Sequence, residues 1–379
     1  MPASTASNNP AIVGVGYTDM VRYAERSLGS LALDAALAAI QDAGLTRDDI
    51  DGYVGTPSAP NAAAIHADGV DEVSSEYMVR ALGLPEPRWV MDLQAMPAAA
   101  IVAASQALAA GACSYVLVLK AMYHPPGVRY AGFKAPTVPG PAQFTVPYGI
   151  GDGIGGGGNR HAIWLQRYMH DYGATREELF QIILAARRHA NLNSVAYWRG
   201  KDLTLDEYMK GRWIYEPISI YDCDIPVTGA GAVLMTTAER ARALPHKPAY
   251  VAGYCNAYQQ GDAIFGVSGI PRSDVQLLQI YDGYSPFIYH WLEFLGFCRP
   301  GKAHSFIQGG RTELGGELPM NTFGGSLGEG RLHGFGHIRE AAMQVMGRCG
   351  PRQVPGAAHC VVQIGPPGLN SWVLMLSSA

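Results

Sequence analysis

The sequence carries no surplus of positive charge: 28 Lys and Arg stand against 32 Asp and Glu, a formal net charge of −4. Binding to a phosphate backbone draws on clustered cations, so nucleic acid is not an expected partner. Long apolar runs are missing too. No stretch of about 18 residues, the length a membrane-spanning helix needs, is free of polar interruption, so no contact with membrane is expected. Met1 to Asn9 lack the positive n-region of a secretory leader and read as a short lead-in. Cysteines are few and scattered. The 6 present are Cys113, Cys223, Cys255, Cys298, Cys349 and Cys360, with no C-x-x-C pair and no companion histidine spacing. That pattern argues against a metal site on this chain and against a disulfide framework, and it fits a reducing cytoplasm. What is present is a folded composition, 48% hydrophobic and 16% charged, in a chain of 379 residues that can hold two or three packed units.

Strand and helix signals alternate through the first third. Ala11–Gly14 is a short apolar run closed by glycine and reads as a buried strand. Ser30 is a candidate cap for a helix with Leu33, Leu37 and Ile40 on one face, ended by Gly44. Strand signals follow at Gly52–Val54, Arg88–Asp92 and Tyr115–Leu119, with helices over Glu76–Leu82 and Ala95–Ala110 between them. The alternation predicts an α/β architecture with a mostly parallel sheet covered on both faces. From Lys120 to Gly158 the chain turns rich in proline and glycine, and a charged helical segment runs from His161 to about Lys210. Residues of about 121–220 therefore read as an insertion over the core. The pattern restarts at Ala249–Tyr254, which echoes Ala11–Tyr17. A helix is expected near Asp274–Leu295, another near Arg339–Met346, and strands near Ala358–Ile364 and Trp372–Leu376.

Two motif strings match a pattern but not its setting. Gly151–Gly156 spells the dinucleotide fingerprint G-x-G-x-x-G, yet Pro147 and Tyr148 precede it where a strand is required. Gly324–Gly328 spells G-x-S-x-G without the strand–turn–helix context of a nucleophile elbow. Both read as loops.

Longer stretches, taken in order, carry more. Ala11–Gly16, Leu31–Gly44, Asp49–Gly52, Tyr172–Glu178, Pro217–Ala232, Leu295–Cys298 and Leu318–Gly325 resemble, in sequence and spacing, the sterol-carrier-protein-type, lipid-transfer-protein branch of the thiolase superfamily. The resemblance implies the thiolase fold: two similar halves, 1–247 and 248–379, forming a five-layered α/β/α/β/α core with the loop domain inserted in the first half.

The resemblance also locates the working positions, and the sequence departs from the family at each. A nucleophilic cysteine is expected at the head of the long first-half helix, where Gln94 falls; a carboxamide forms no thioester. A C-terminal cysteine base is expected where Gln363 falls, beside Gly365. Tyr281 replaces an Asn or His in the turn Tyr281–Ser285, and Tyr284 replaces a Phe. The histidine loop is Gly330–His337, with His333 the match, His337 a rival in register, and Arg331 beside them as a contact for a thioester or carboxylate. Blander readings stand alongside: packed tyrosines, His337 packing or capping a helix, Asp282 as a helix cap, Cys255 and Cys298 as small buried hydrophobes, and Arg187, Arg188 and His189 on a solvated face.

This pattern resembles the thiolase-like aldolases that cleave steroid side chains. It implies a retro-aldolase that breaks the Cα–Cβ bond of a β-hydroxyacyl-CoA without a covalent cysteine intermediate. Tyr281 and His333, with Tyr284 near, would move protons, and backbone near Gln94 and Gly365 would hold the oxyanion. No cofactor is implied on this chain, and the CoA thioester is substrate. The implied partners are a second copy, in a homodimer, and a small OB-fold protein with a zinc ribbon, giving a heterotetramer with any zinc on that partner. Two alternatives remain open: a cysteine-independent acyltransferase or condensing enzyme, and a non-catalytic acyl-CoA- or lipid-binding module.

Overall fold

The first strand and the first helix approach each other unusually closely, and the residues between them explain why. In the computed structural model, which describes residues 9–57, 66–126, 158–256, 262–368 and 371–379, β1 (Ala11–Tyr17) packs on α1 (Leu28–Asp42). A Cβ placed on Gly16 would lie 1.9 Å from the Ala35 carbonyl oxygen. Only small side chains fit such an interface. The buried face of α1 is accordingly Ala32, Ala35, Ala36 and Ala39 with Ile40, and Leu37 is turned out, 49% exposed. The expected leucine face is thus corrected, and so is the cap: the Ser27 hydroxyl, not Ser30, accepts from the Ser30 N–H.

The remaining first-half elements are β2 (Gly52–Gly55), α2 (Ser75–Leu82), β3 (Trp89–Asp92), α3 (Pro97–Ala109) and β4 (Tyr115–Met122). The insertion contributes α4 (Gly158–Tyr172), α5 (Arg176–Asn191), α6 (Leu205–Met209) and a two-stranded ribbon of β5 (Trp213–Tyr215) and β6 (Ile218–Ser219). Then come β7 (Gly229–Thr236), α7 (Ala238–Ala241), β8 (Ala249–Asn256), α8 (Ala263–Ser268), β9 (Leu277–Ile280), α9 (Phe287–Phe294), α10 (Ala303–Phe306), α11 (Gly325–Gly328), α12 (Phe335–Met346), β10 (His359–Ile364) and β11 (Trp372–Ser377). The helix expected from Asp274 is therefore a strand over its first part. A short continuous apolar run such as Leu277–Ile280 has no periodicity to separate the two. The string Gly151–Gly156 lies outside the described residues.

The strands align as β3-β2-β4-β7-β1-β8-β11-β10-β9. β2 runs parallel to β3 and β4, and β9 parallel to β10; the other pairings are antiparallel. The sheet is mixed, not mostly parallel: β7 returns from the insertion, and β11 follows β10 without a crossover helix. β1 joins β8 through only two register pairs, Ala11↔Tyr250 and Ile12↔Ala249, so two groups of strands meet at a narrow seam.

Three apolar clusters give five layers. One holds α1 and α2 against the first-half strands. The second holds α3 and α12 between the two groups of strands. The third packs α4 and α5 of the insertion with α9 on the outer face of the second-half strands. This is the α/β/α/β/α arrangement of the thiolase fold. The site forms where the insertion meets the second half.

Candidate active site

Three backbone segments converge at the end of the second-half strands. The turn Tyr281–Ser285 leaves β9, with the Tyr281 N–H donating to the Gln363 carbonyl of β10 at 2.9 Å. The loop Gly330–Gly334 precedes α12. Residues 223–226, returning from the insertion, run between the two: the Asp224 N–H donates to the Gly283 carbonyl at 3.1 Å, and the Arg331 N–H to the Ile225 carbonyl at 2.9 Å. Backbone hydrogen bonds thus fix all three segments in register.

They enclose a recess of about 200 Å³ lined by Tyr281, Tyr284, Arg331, His333, Asp224 and His161, with Met96, Phe287 and Pro366 among its other walls. A larger cavity of about 830 Å³ adjoins it, sharing Asp224 and Tyr284. Its walls are mainly aromatic and apolar, with Arg22, Arg187 and Arg212 among them.

Of the residues singled out from sequence, Tyr281, Tyr284, Arg331 and His333 come together here. Gln94 does not: it is exposed, and α3 begins at Pro97, so the side chain at the helix head that reaches the recess is Met96. Gly365 is buried, and its carbonyl accepts from Gln363 Nε2 at 3.0 Å; the wall belongs to Pro366. Met96 and Pro366, one or two residues further along, are the neighbours that line the recess. His337 is buried in the first turn of α12 behind the recess. Its Nε2 donates to Asp282 Oδ1 at 3.0 Å, and its ring meets Phe323 edge-on at 4.9 Å. Asp282 also accepts from the Ser326 N–H at 2.7 Å, so it caps α11 rather than the helix that follows it in sequence. A Cβ on Gly325 would stand 2.0 Å from this carboxylate, which is why glycine is required there. Ser326 is buried beneath it and presents no nucleophile.

Arg331 dictates the state of His333. Its Nη2 meets His333 Nε2, and a guanidinium can only donate. Nε2 must therefore accept, leaving the ring proton on Nδ1. Burial first, then Arg331 and Lys120, hold the imidazole well below its ordinary pKa, so His333 is neutral. His333 itself sits at φ 49, in the left-handed region. Lys120, buried in β4 with its ammonium on the Thr56 carbonyl at 2.7 Å, is pushed down to about 7 by burial, with Arg331 adding to the fall. His161 stacks edge-on to Phe287 at 4.4 Å and is pushed down to about 3, chiefly by burial.

Asp224 is the wall residue that sequence reasoning missed. Its carboxylate is 5% exposed and lies 3.6 Å from Arg331 Nε. Burial raises its pKa to about 7, against the opposing pull of Arg331 and with a further push from Asp282. A local signal existed in Tyr221–Asp224, where two acids flank a cysteine, but nothing in it separates the two. Asp222 is saturated, accepting from Tyr208 Oη, Ser219 Oγ and Ser285 Oγ at 2.7–2.8 Å. The solvated face expected of Arg187, Arg188 and His189 is corrected: Arg187 and His189 are buried, and Arg187 lines the larger cavity, stacked 3.7 Å from the Trp198 ring centroid. Arg188 pairs with Glu313, and His189 bonds the Asn321 carbonyl.

No cysteine lines the recess among the described residues. Cys223 on the larger cavity has its thiol pushed up by burial, first, and by Asp222 and Asp224. No group of metal-ligating side chains occurs among the described residues, and no helix there is long and apolar enough to cross a membrane.

Comparison with known proteins fits this geometry. Residues 239–377 match the family described as Thiolase C-terminal domain-like. The chain is 33% identical over 372 residues to the steroid side-chain-cleaving aldolase of Thermomonospora curvata, covering 89% of this chain and 90% of that protein. It is 32% identical over 389 residues to the 17-hydroxy-3-oxo-4-pregnene-20-carboxyl-CoA lyase of Mycobacterium tuberculosis, covering 95% and 97%. A solved structure described as Ltp2-ChsH2(DUF35) aldolase superposes with a TM-score of 0.84 at 30% identity over 97% of each chain.

Proposed function

The chain belongs to the thiolase superfamily, in the branch that includes the steroid side-chain-cleaving aldolases, and we propose that it is a carbon–carbon lyase acting on acyl-CoA. Its substrate is a β-hydroxyacyl-CoA with a bulky, steroid-type group on the hydroxyl-bearing carbon. The products are a ketone or aldehyde and a shorter acyl-CoA. One observation carries this reading: acid–base and hydrogen-bonding groups (Tyr281, Arg331, His333 and Asp224) surround the recess where a thioester chemistry would need a thiol, and the helix-head side chain there is Met96.

Breaking the Cα–Cβ bond leaves an enolate on the thioester, which needs donors at oxygen and a proton at carbon. Tyr281 supplies the proton to Cα. Arg331 and the Nδ1–H of His333 favour the developing oxyanion, with backbone at the head of α3, near Gln94, and at Gly365 behind them. Tyr284 stands between the recess and the larger cavity, which takes the body of the thioester; Arg22, Arg187 and Arg212 suit its phosphates. The halves 1–247 and 248–379 act as one cytoplasmic enzyme. β3 ends the sheet with Val90 42% and Met91 37% exposed, an edge suited to a second copy of the chain. A DUF35-type partner with an OB fold and a zinc ribbon completes a heterotetramer, with zinc on the partner alone.

The test is direct. After complete thiol alkylation, the protein with its partner should still release a ketone from 17-hydroxy-3-oxo-4-pregnene-20-carboxyl-CoA at near its untreated rate. Binding without release, or a requirement for a second acyl acceptor, would replace this reading with a carrier or an acyltransferase.

A further inference from the structure

Cleavage needs a base for the β-hydroxyl, and most candidates on the recess wall are spent. His333 has its Nε2 lone pair committed to Arg331. His161 is wedged against Phe287 and gains a proton only under strongly acidic conditions. Tyr281 is assigned to the carbon, and Tyr284 carries a phenol, a group that unperturbed keeps its proton up to about pH 10 and so makes a poor base at neutrality. Asp224 remains, and its surroundings differ from those of its neighbour Asp222. Asp222 spends its oxygens on Tyr208, Ser219 and Ser285. Asp224 Oδ2 is buried with no hydrogen-bond partner among the described residues, and Arg331 Nε at 3.6 Å is beyond hydrogen-bond reach. A buried, under-bonded carboxylate oxygen is costly unless something occupies it in the working state. This one lines both cavities, a place it shares with Tyr284.

We infer that Asp224 is the general base of the reaction, taking the proton from the substrate's β-hydroxyl as the Cα–Cβ bond breaks. The inference rests on the lyase reading. The hydroxyl O–H pair becomes the carbonyl π bond, and the Cα–Cβ pair moves onto the thioester as an enolate. Tyr281 then protonates Cα. The resulting Asp224 carboxylic acid and Tyr281 phenolate exchange one proton through solvent, so the cycle closes with no net proton and no oxidant. A carboxyl that titrates near neutrality suits this task better than an ordinary one, because it is both ionised and basic enough at working pH.

The test compares the full complex of wild type with Asp224→Asn, using two readouts. One is release of ketone from 17-hydroxy-3-oxo-4-pregnene-20-carboxyl-CoA. The other is exchange of the α-hydrogens of propionyl-CoA with D2O, which involves no hydroxyl. The Asn variant should lose roughly 10²–10⁴-fold in kcat for cleavage, keep KM within a few-fold, and retain exchange. Cleavage within threefold of wild type overturns the role, and so does equal loss of both readouts, which would mark a positioning or structural residue. Should the Asn protein not fold, Asp224→Ala with added formate is the substitute, and failure of formate to restore cleavage overturns the role. A wild type that exchanges α-hydrogens but cleaves no β-hydroxyacyl-CoA overturns the lyase reading, and the base with it.

Discussion

The sheet ends in two strands of the same length that have met opposite fates. β3 runs Trp89–Asp92 with most of its residues exposed. β9 runs Leu277–Ile280 with every residue buried. Both are edges, and an edge presents unpaired backbone groups that must be covered. On β9 the chain covers its own edge. The Leu278 N–H donates to the Pro319 carbonyl at 2.9 Å, the Asn321 N–H to the Leu278 carbonyl at 3.0 Å, and the Asn321 side-chain amide bonds both the N–H and the C=O of Ile280 at 2.8 Å. One amide side chain thus imitates a neighbouring strand. The effect reaches the site, because Tyr281 is the next residue. β3 has no such closure within the described chain, which is why a second copy is the covering proposed there. The closed edge leads into the proposed site, and the open edge is the one proposed for a second copy.

The sharpest way to break the contrast is at the end of β9. Tyr281→Phe removes one oxygen and should lower cleavage roughly 10²–10⁴-fold, while costing only about 1 kcal/mol of stability. Turnover within a few-fold of wild type would reduce Tyr281 to a packing residue. Next, Asn321→Ala leaves two backbone groups of Ile280 unpaired and should destabilise the fold by roughly 2–4 kcal/mol in urea unfolding. An unchanged midpoint would mean the edge closes without it.

A smaller effect depends on pH. The carboxyl of Asp224, pushed up to about 7 mainly by burial, is faced by Arg331 from the histidine loop and Asp282 from the tyrosine turn. Its unfolded value is about 3.9. The folded protein holds this proton more tightly, so the associated stability is present below about pH 4 and lost as pH rises through about 7. Unfolding midpoints of wild type should therefore fall relative to Asp224→Asn between pH 5 and pH 8. Parallel curves would show that Asp224 titrates ordinarily. Smallest in its effect on the fold is Met91→Lys on β3. It should convert a two-chain particle to a single chain in sedimentation, with monomer stability within about 0.5 kcal/mol. A wild type that already sediments as one chain removes the second copy from that edge.

Local chemistry was legible in part: Gly44 ends α1 in the left-handed conformation as the sequence reads, but the cap at the other end is Ser27, not Ser30. The tyrosine turn and the histidine loop were also visible, as was the loss of thiols from the working positions. Register was less secure. Gln94 and Met96 differ by two residues, and only the start of α3 at Pro97 decides which side chain reaches the recess.

By itself, then, the sequence made legible the strand–helix alternation of the first third, the restart of the pattern at Ala249, and the candidate residues Tyr281, Arg331 and His333. Only the tertiary structure decided that the sheet is mixed, that His333 is a neutral donor, that His337 serves Asp282, and that Asp224 rather than Asp222 meets the cavity. These decisions depend on contacts between residues far apart in the chain. Arg331 sets the tautomer of His333, and Gly283 holds the backbone of Asp224. Burial without a hydrogen bond is what gives Asp224 its proton affinity, and burial belongs to the packed chain, not to any stretch of it.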